Sequence, residues 1–167
     1  MKWGELEKES CSMARALSVI GDRWTLLILR DCFLGVRRFD AFHERLGITR
    51  GVLADRLKQL TDAGVLKKVR YRDTPPRFEY RLTSRGLDLH PVILSIVHWG
   101  DVHMAGPEGR PVLHRHETCG HLFDPVLCCS ECGEIVRPHD VRVQRGPGNA
   151  DDRNLPVLPT SDRDEPL

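Results

Sequence analysis

The 167-residue chain is 40% hydrophobic and 29% charged with a formal net charge of +1, a balance that fits one soluble domain with an appendage, or two small domains. No apolar run approaches the roughly 20 residues needed to span a bilayer, and the opening MKWGE lacks the apolar core of a secretion leader, so a cytoplasmic protein with no membrane partner is expected. The small net charge conceals a gradient: residues 34–86 carry 13 Lys/Arg against 6 Asp/Glu, whereas 149–167 carry 2 against 5, which points the middle of the chain toward a polyanion.

In chain order, residues 1–10 are polar and read as a frayed N-terminal segment. Ser10 can cap a first helix that carries Cys11, Ala14, Leu17 and Val19 and stops at Gly21. Asp22 is the expected cap of a second helix over 23–34, RWTLLILRDCFL, apolar on most sides and therefore central to the core. Two short helices follow, over 38–46 and 49–63. Phe39, Phe42 and Leu46 share one face of the first, and Leu53, Leu57 and Leu60 one face of the second. Joined across Leu46-Gly47-Ile48, they have the outline of a helix-turn-helix.

Beyond Val65 the period changes. LKKVRY at 66–71 and RFEYRL at 77–82 partly alternate and hold β-favouring residues, with Asp73-Thr74-Pro75-Pro76 between them as a turn. Two strands closed by a short basic loop make a wing. Thr83 then caps a helix predicted to run toward Met104, bent locally at Pro91 and striped by Leu89, Val92, Ile93, Ile96, Val97 and Trp99. The Gly- and Pro-containing stretch 105–112 reads as a linker, 113–143 as a small Cys/His unit, and 144–167 as a disordered acidic tail. The predicted class is mainly α with a small β-wing (α+β), a winged helix-turn-helix plus a zinc-ribbon-like unit.

Reading a major groove requires a helix with an apolar inner side and an outer side that reaches phosphates and base edges. The 49–63 helix fits, with Thr49, Arg50, Arg56 and Lys58 outward or flanking. Arg50, at its N-terminal end, is the expected base contact. Arg37 and Arg38 lie where they would meet phosphates, and Arg70, Arg72 and Arg77 lie on or beside the wing. The alternative for any one of these charges is simple solvation of an exposed face. Their recurrence in every element that would face DNA favours double-stranded DNA as partner.

The run CSMARALSVIGDRWTLLILR at 11–30, followed by GVRRF at 35–39, LADRL at 53–57, PPRFEYRLT at 75–83 and Gly86, resembles the HxlR-type branch of bacterial winged-helix regulators, relatives of the MarR group. The resemblance covers about residues 11–104. It implies a homodimer held by the first and last helices of the domain, with two recognition helices reading a palindromic operator, usually as a repressor. Leu17, Leu89, Val92, Ile93, Ile96 and Trp99 are the expected dimer contacts, since so broad an apolar face on a last helix calls for a cover.

The resemblance also implies that Cys11 can sense oxidants or electrophiles, which would make an oxidant or small molecule the effector. A thiol at a helix start gains thiolate character from the dipole, and Arg15 one turn on would add to it. The competing reading is a half-buried packing residue. Cys32, inside an apolar helix, reads as core.

Four of the six cysteines fall within 14 residues, which favours metal or thiolate chemistry over a disulfide framework. HETCG at 116–120 and CSECG at 129–133 share a ligand-x-x-ligand-Gly spacing. Two such knuckles would close a tetrahedral structural Zn2+ site on His116, Cys119, Cys129 and Cys132. His121 and His114 are alternatives for the histidine, and Cys128 competes less well with Cys129 because it breaks the spacing. No nucleophile elbow, zinc-protease helix, phosphate-binding loop or dinucleotide fingerprint is present, so an enzyme is not expected. The competing non-enzymatic function is a protein-interaction module, with the winged helix as scaffold and the ribbon and tail as docking elements.

Overall fold

Several helix starts among the described residues are set by short polar side chains. In the computed structural model, which describes residues 3–144 and 146–148, α1 spans Ser12–Ile20. Asp22 then accepts hydrogen bonds from the backbone N–H of Trp24 at 3.0 Å and of Thr25 at 3.2 Å and so opens α2 (Arg23–Phe33). α3 covers Phe39–Leu46. Thr49 accepts from the Val52 N–H and opens α4 (Arg50–Asp62). Each of these caps supplies an acceptor to a first-turn N–H that has no partner within its helix.

The core is built around the α3–α4 pair. Phe42, Ile28, Leu29, Leu53, Leu57, Leu60 and Leu66 are fully buried, with Val65, Ile48, Ile20 and Ile93 beside them. At about 1.5–3 kcal/mol for each large apolar side chain removed from water, this cluster holds the two short helices against α2. A charged residue sits within it. Asp31, on α2, is fully buried and accepts from Arg30 Nη2 at 2.8 Å and from Arg45 Nε at 3.1 Å. The pair with Arg45 ties α2 to α3, a tie that the apolar reading of α2 did not foresee.

β1 (Leu66–Arg72) and β2 (Arg77–Leu82) form an antiparallel ribbon in the register Leu66–Leu82, Lys68–Tyr80 and Arg70–Phe78, with an irregularity before Arg72. The Tyr80 N–H donates to the Arg37 carbonyl at 2.8 Å, and Arg38 forms an isolated bridge with Glu79. The wing is thereby anchored to the residues that lead into α3.

Pro91 acts differently from the expected bend. Thr83 opens only a short helix, α5 (Ser84–Leu87), and α6 (His90–His103) begins afresh with Pro91 in its first turn. A first-turn proline forgoes an N–H that no intrahelical acceptor would take, so it starts a helix without distorting one. Gly86 is demanded by close approach: a Cβ there would lie 2.3 Å from the Val65 carbonyl oxygen.

Contacts divide the chain into two units, one of Ala16–Pro125 and one of Met1–Arg15 with Val126–Leu167. The boundary falls inside the stretch 113–143 that sequence spacing suggests as one unit. In the first unit, Arg110 pairs with Asp124, which also lies 3.5 Å from His98 Nδ1 on α6. Together with Leu113 and Phe123 these residues line a cleft of about 230 Å3 beside the helix. In the second unit, Trp3–Lys8 forms a 3-10 helix where fraying is expected, and Pro138–Asp140 forms another. Most of the expected acidic tail, 149–167, lies outside the described residues. Among the described residues no helix is long and apolar enough to cross a membrane.

Candidate nucleic-acid interface

α4 presents Leu53, Leu57 and Leu60 to the core, which leaves Arg50, Ala54 and Lys58 on its exposed side. Its N-terminus is exposed and carries Thr49 and Arg50, where the helix dipole favours an anion. Arg50 donates to Asp40 at 2.9 Å and lies over the Phe39 ring, its guanidinium carbon 5.5 Å from the centroid. Both partners of that ion pair are mostly exposed. An exposed pair contributes only about 0–1 kcal/mol, so Arg50 can exchange Asp40 for a base edge at little cost.

Lys58 donates to Asp62 one turn on, at 2.5 Å. That hydrogen bond, and then the carboxylate charge, raise its pKa above the ordinary lysine value. Arg56 behaves differently from its neighbours. Its guanidinium donates to both Asp22 oxygens, at 2.8 and 3.3 Å, and to Gln59 at 2.9 Å. Asp22 is the cap of α2, so Arg56 clamps α4 to the start of that helix and is only partly exposed. In the free chain its guanidinium is thus engaged within the fold more fully than that of Arg50.

On the wing, alternation sorts the charges by face. Lys68 and Arg70 both approach the exposed Phe78 ring, with charged atoms 4.3 and 5.6 Å from its centroid. Arg38 lies 4.8 Å from the centroid of Tyr71. Arg72 donates to the Thr74 carbonyl at 3.0 Å in the wing tip, and Arg70 lies 3.5 Å from Asp73. Arg37 and Arg77 are exposed. Lys67, Lys68 and Arg81 also bring positive charge to the ribbon, with Arg81 paired to the buried Glu79 at 2.5 Å. Sequence reading passed over these three, although the alternation of LKKVRY would have placed Lys68 and Arg70 on one side.

A helix-turn-helix with a basic ribbon tied to its leading edge is a winged helix. The family model described as HxlR-like helix-turn-helix matches residues 19–107. The chain belongs to that family. An uncharacterized HTH-type transcriptional regulator of Mycobacterium tuberculosis is 46% identical over 140 residues, which cover 84% of this chain and 89% of the relative. A second relative, YybR of Bacillus subtilis, also an uncharacterized HTH-type transcriptional regulator, is 30% identical over 70% of this chain and 90% of its own length. Among solved structures, PA1607, described as a candidate transcription factor, superposes with a TM-score of 0.75 at 34% identity over 84% of this chain and 98% of that one. The redox regulator HypR in its oxidized form gives 0.54 at 30% identity over 57% of this chain and all of that one. These relatives are regulators of transcription, not enzymes, and an HxlR-like helix-turn-helix is a DNA-binding device.

The apolar face of this HxlR-like chain is narrower than its sequence suggests. Ile93 is only 7% exposed and belongs to the chain's own core, and Leu89 packs against that core with Val97. In the single chain Ile93 and Leu89, both expected as partner contacts, thus pack within the chain itself, where α6 meets α2. Val92, Ile96, Trp99 and Val102 face outward, with Ile96 49% and Trp99 58% exposed. Leu17 on α1 is exposed as well.

Cys11 is exposed immediately before α1, not half-buried, and its carbonyl accepts the Arg15 N–H at 3.1 Å. Arg15 Nη2 donates to Ser12 Oγ at 3.3 Å. Cys32 packs against the core, where burial and then the neighbouring Asp31 push its thiol up to about 12. His116 Nδ1 lies 3.3 Å from Cys119 Sγ. The backbone N–H groups of Cys132 and Glu131, and then the Cys132 thiol, hold Cys129 below the ordinary thiol value. Among the described residues no group of three or more His, Cys, Asp or Glu side chains gathers in a metal-holding arrangement.

Proposed function

We propose that this chain is a homodimeric, sequence-specific operator-binding regulator that acts as a repressor on a palindromic site. The observation that carries this reading is the pairing of a basic winged face with an uncovered apolar stripe on α6. Val92, Ile96, Trp99 and Val102 follow each other at helical spacing and stay exposed in the single chain. A second copy, covering that stripe with its own, doubles the recognition helix about a two-fold axis, and a two-fold protein reads a two-fold site. Arg50 and Thr49 serve as the contacts at the helix start, Lys58 flanks them, and Arg37, Arg38, Arg70, Arg72 and Arg77 follow the backbone.

Sedimentation equilibrium and gel-shift titration against the chain's own upstream DNA test both halves. The expected result is a dimer whose affinity falls steeply as salt rises, with a log–log slope that counts the phosphates neutralised. Replacing Ile96 and Trp99 together by Glu yields a monomer with weak, non-specific binding. A wild-type monomer, or a protein indifferent to duplex DNA at low ionic strength, overturns the proposal. Salt-independent capture of another protein supports the interaction-module reading in its place.

The effector on this reading is an oxidant or electrophile acting at Cys11, whose exposure at the start of α1 leaves it open to reagents and whose adjoining helix carries Leu17. HypR is a redox regulator by its own description, which supports the same direction. Diamide is expected to weaken operator binding of the wild type and not of Cys11→Ser; equal weakening removes Cys11 from the mechanism.

A further inference from the structure

The cap and the body of α2 carry one acidic residue each, and each holds one helix of the helix-turn-helix. Asp31, fully buried near the helix end, accepts from Arg45 on α3 at 3.1 Å. Asp22, at the helix start, accepts from Arg56 on α4: Nε donates to one carboxylate oxygen at 2.8 Å and Nη2 to the other at 3.3 Å. The two carboxylates stand nine positions apart, about 13 Å along the helix axis. All four residues belong to the compact unit Ala16–Pro125.

Asp22 takes four hydrogen bonds. The oxygen that receives Arg56 Nε also receives the N–H of Trp24 and of Thr25, so one carboxylate both starts α2 and fixes α4. Arg56 Nη1 donates to Gln59 at 2.9 Å, and every nitrogen of the guanidinium is thereby used within the chain. Paired bonds between a planar fork and a carboxylate hold direction as well as distance. The surroundings are drier than at the other ion pairs of α4. Arg56 and Asp22 side chains are 27% and 34% exposed, against 65% and 81% for Arg50 with Asp40, so solvent screens this pair less.

α2 also packs against α6, whose outer side carries Ile96 and Trp99. It therefore stands between the surface assigned to a second copy and the helix assigned to the bases. The set of α4 on α2 decides where the two recognition helices of a dimer point and how far apart they lie, and a two-fold reader accepts half-sites at a matching separation. Arg50 lies six residues before Arg56, about 9 Å along α4, so a tilt at the clamp displaces the expected base contact.

We propose that Arg56 is a positioning residue for operator reading, acting through Asp22 and not on DNA. The clamp fixes α4 on α2 and thereby sets the spacing of half-sites that the dimer accepts. This role rests on the dimeric operator-binding reading and adds to it a determinant of spacing.

The test uses the full-length chain and duplexes built on the inverted repeat that the wild type protects in its own upstream DNA. The half-sites are kept at the natural separation or moved by one or two base pairs. Titrations run at several salt concentrations, below the melting temperature of every variant. The wild type is expected to favour one separation about ten-fold, since each added base pair turns one half-site by roughly 35°. Asp22→Ser keeps a capping oxygen but is too short to hold Arg56, and Arg56→Lys keeps the charge without the fork. Each is expected to cut the spacing preference about three-fold or more, and the double variant no further than either single one, as for two members of one contact. Arg56→Gln leaves the salt slope unchanged. A direct phosphate contact would instead lower that slope by about one in Arg56→Gln, and Asp22→Ser would free the guanidinium and tighten binding; either result overturns the proposal. So does an unchanged spacing preference in Asp22→Ser and Arg56→Lys, the behaviour of a clamp that serves stability alone and shows only in thermal melts. A wild-type dimer indifferent to spacing overturns this role alone. A wild type that binds a single half-site as a monomer overturns the dimeric reading, and this role with it.

Discussion

The winged helix and the turn at residues 127–136 owe their order to different physics. Residues of α2, α3 and α4 bury six large apolar side chains almost completely, with Val65 and Leu66 packed beside them. From Val126 to Gly148 no described residue is buried, and the turn at 127–136 is held by backbone hydrogen bonds and a left-handed glycine. A region of the first kind tolerates loss of a surface side chain and not of a core one. A region of the second kind, below the size at which a core sustains itself, depends on staples. Among the described residues, apolar burial is concentrated in the winged helix.

Denaturant unfolding is the most direct way to break that contrast. Phe42→Ala is expected to cost about 3–5 kcal/mol, as for other buried aromatic truncations, whereas Leu127→Ala in the exposed turn stays within about 0.5 kcal/mol. Equal losses at the two positions would erase the distinction. Gly86→Ala comes next. Its Cβ would meet the Val65 carbonyl at 2.3 Å, and the forced shift is expected to cost about 1–3 kcal/mol in the same assay.

Within the winged helix, DNA binding sharpens the difference between α4 and the wing. Arg50→Ala is expected to lose about 1–3 kcal/mol of discrimination at one base position per half-site. Lys68→Ala should instead weaken all sequences alike and reduce the salt slope by about one. Titrations against a panel of single-base operator variants at several salt concentrations separate the two outcomes.

The smallest effect concerns Cys11 and Cys32. Iodoacetamide at pH 8 should label exposed Cys11 and spare Cys32 until the chain unfolds. The folded thiol of Cys32 stays protonated up to about 12, against an ordinary value of 9.0. The unfolded state therefore loses its proton first, and stability declines as pH rises through that window. Cys32→Ala should flatten the decline, as followed by thermal melts between pH 8 and 11.

Much of the fold was legible in the residues because local chemistry and global packing agree. Asp22, Thr49 and Thr83 cap helices where their types and places suggest, and Leu53, Leu57 and Leu60 face the core at the predicted spacing. Disagreements arose where a long-range partner decides. Arg56 looks outward from its helical position, yet Asp22, far away in sequence, holds it at 2.8 Å. Asp31 falls in an apolar helix and is satisfied by Arg45 from another. Pro91 signals a break, and in the folded chain it begins α6 instead of bending a longer helix.

By itself, the amino-acid order determined most of the elements and their caps, the positive middle of the chain and the matching spacing of HETCG and CSECG, since each rests on residues close in sequence. Only the tertiary structure decided which side of α6 is spent on the core and which remains open, that Arg37 and Arg38 are bound to the wing, and that HETCG and CSECG fold into turns with matching backbone hydrogen bonds. Those depend on contacts between segments distant in sequence or on backbone geometry, neither of which a pattern of residue types encodes.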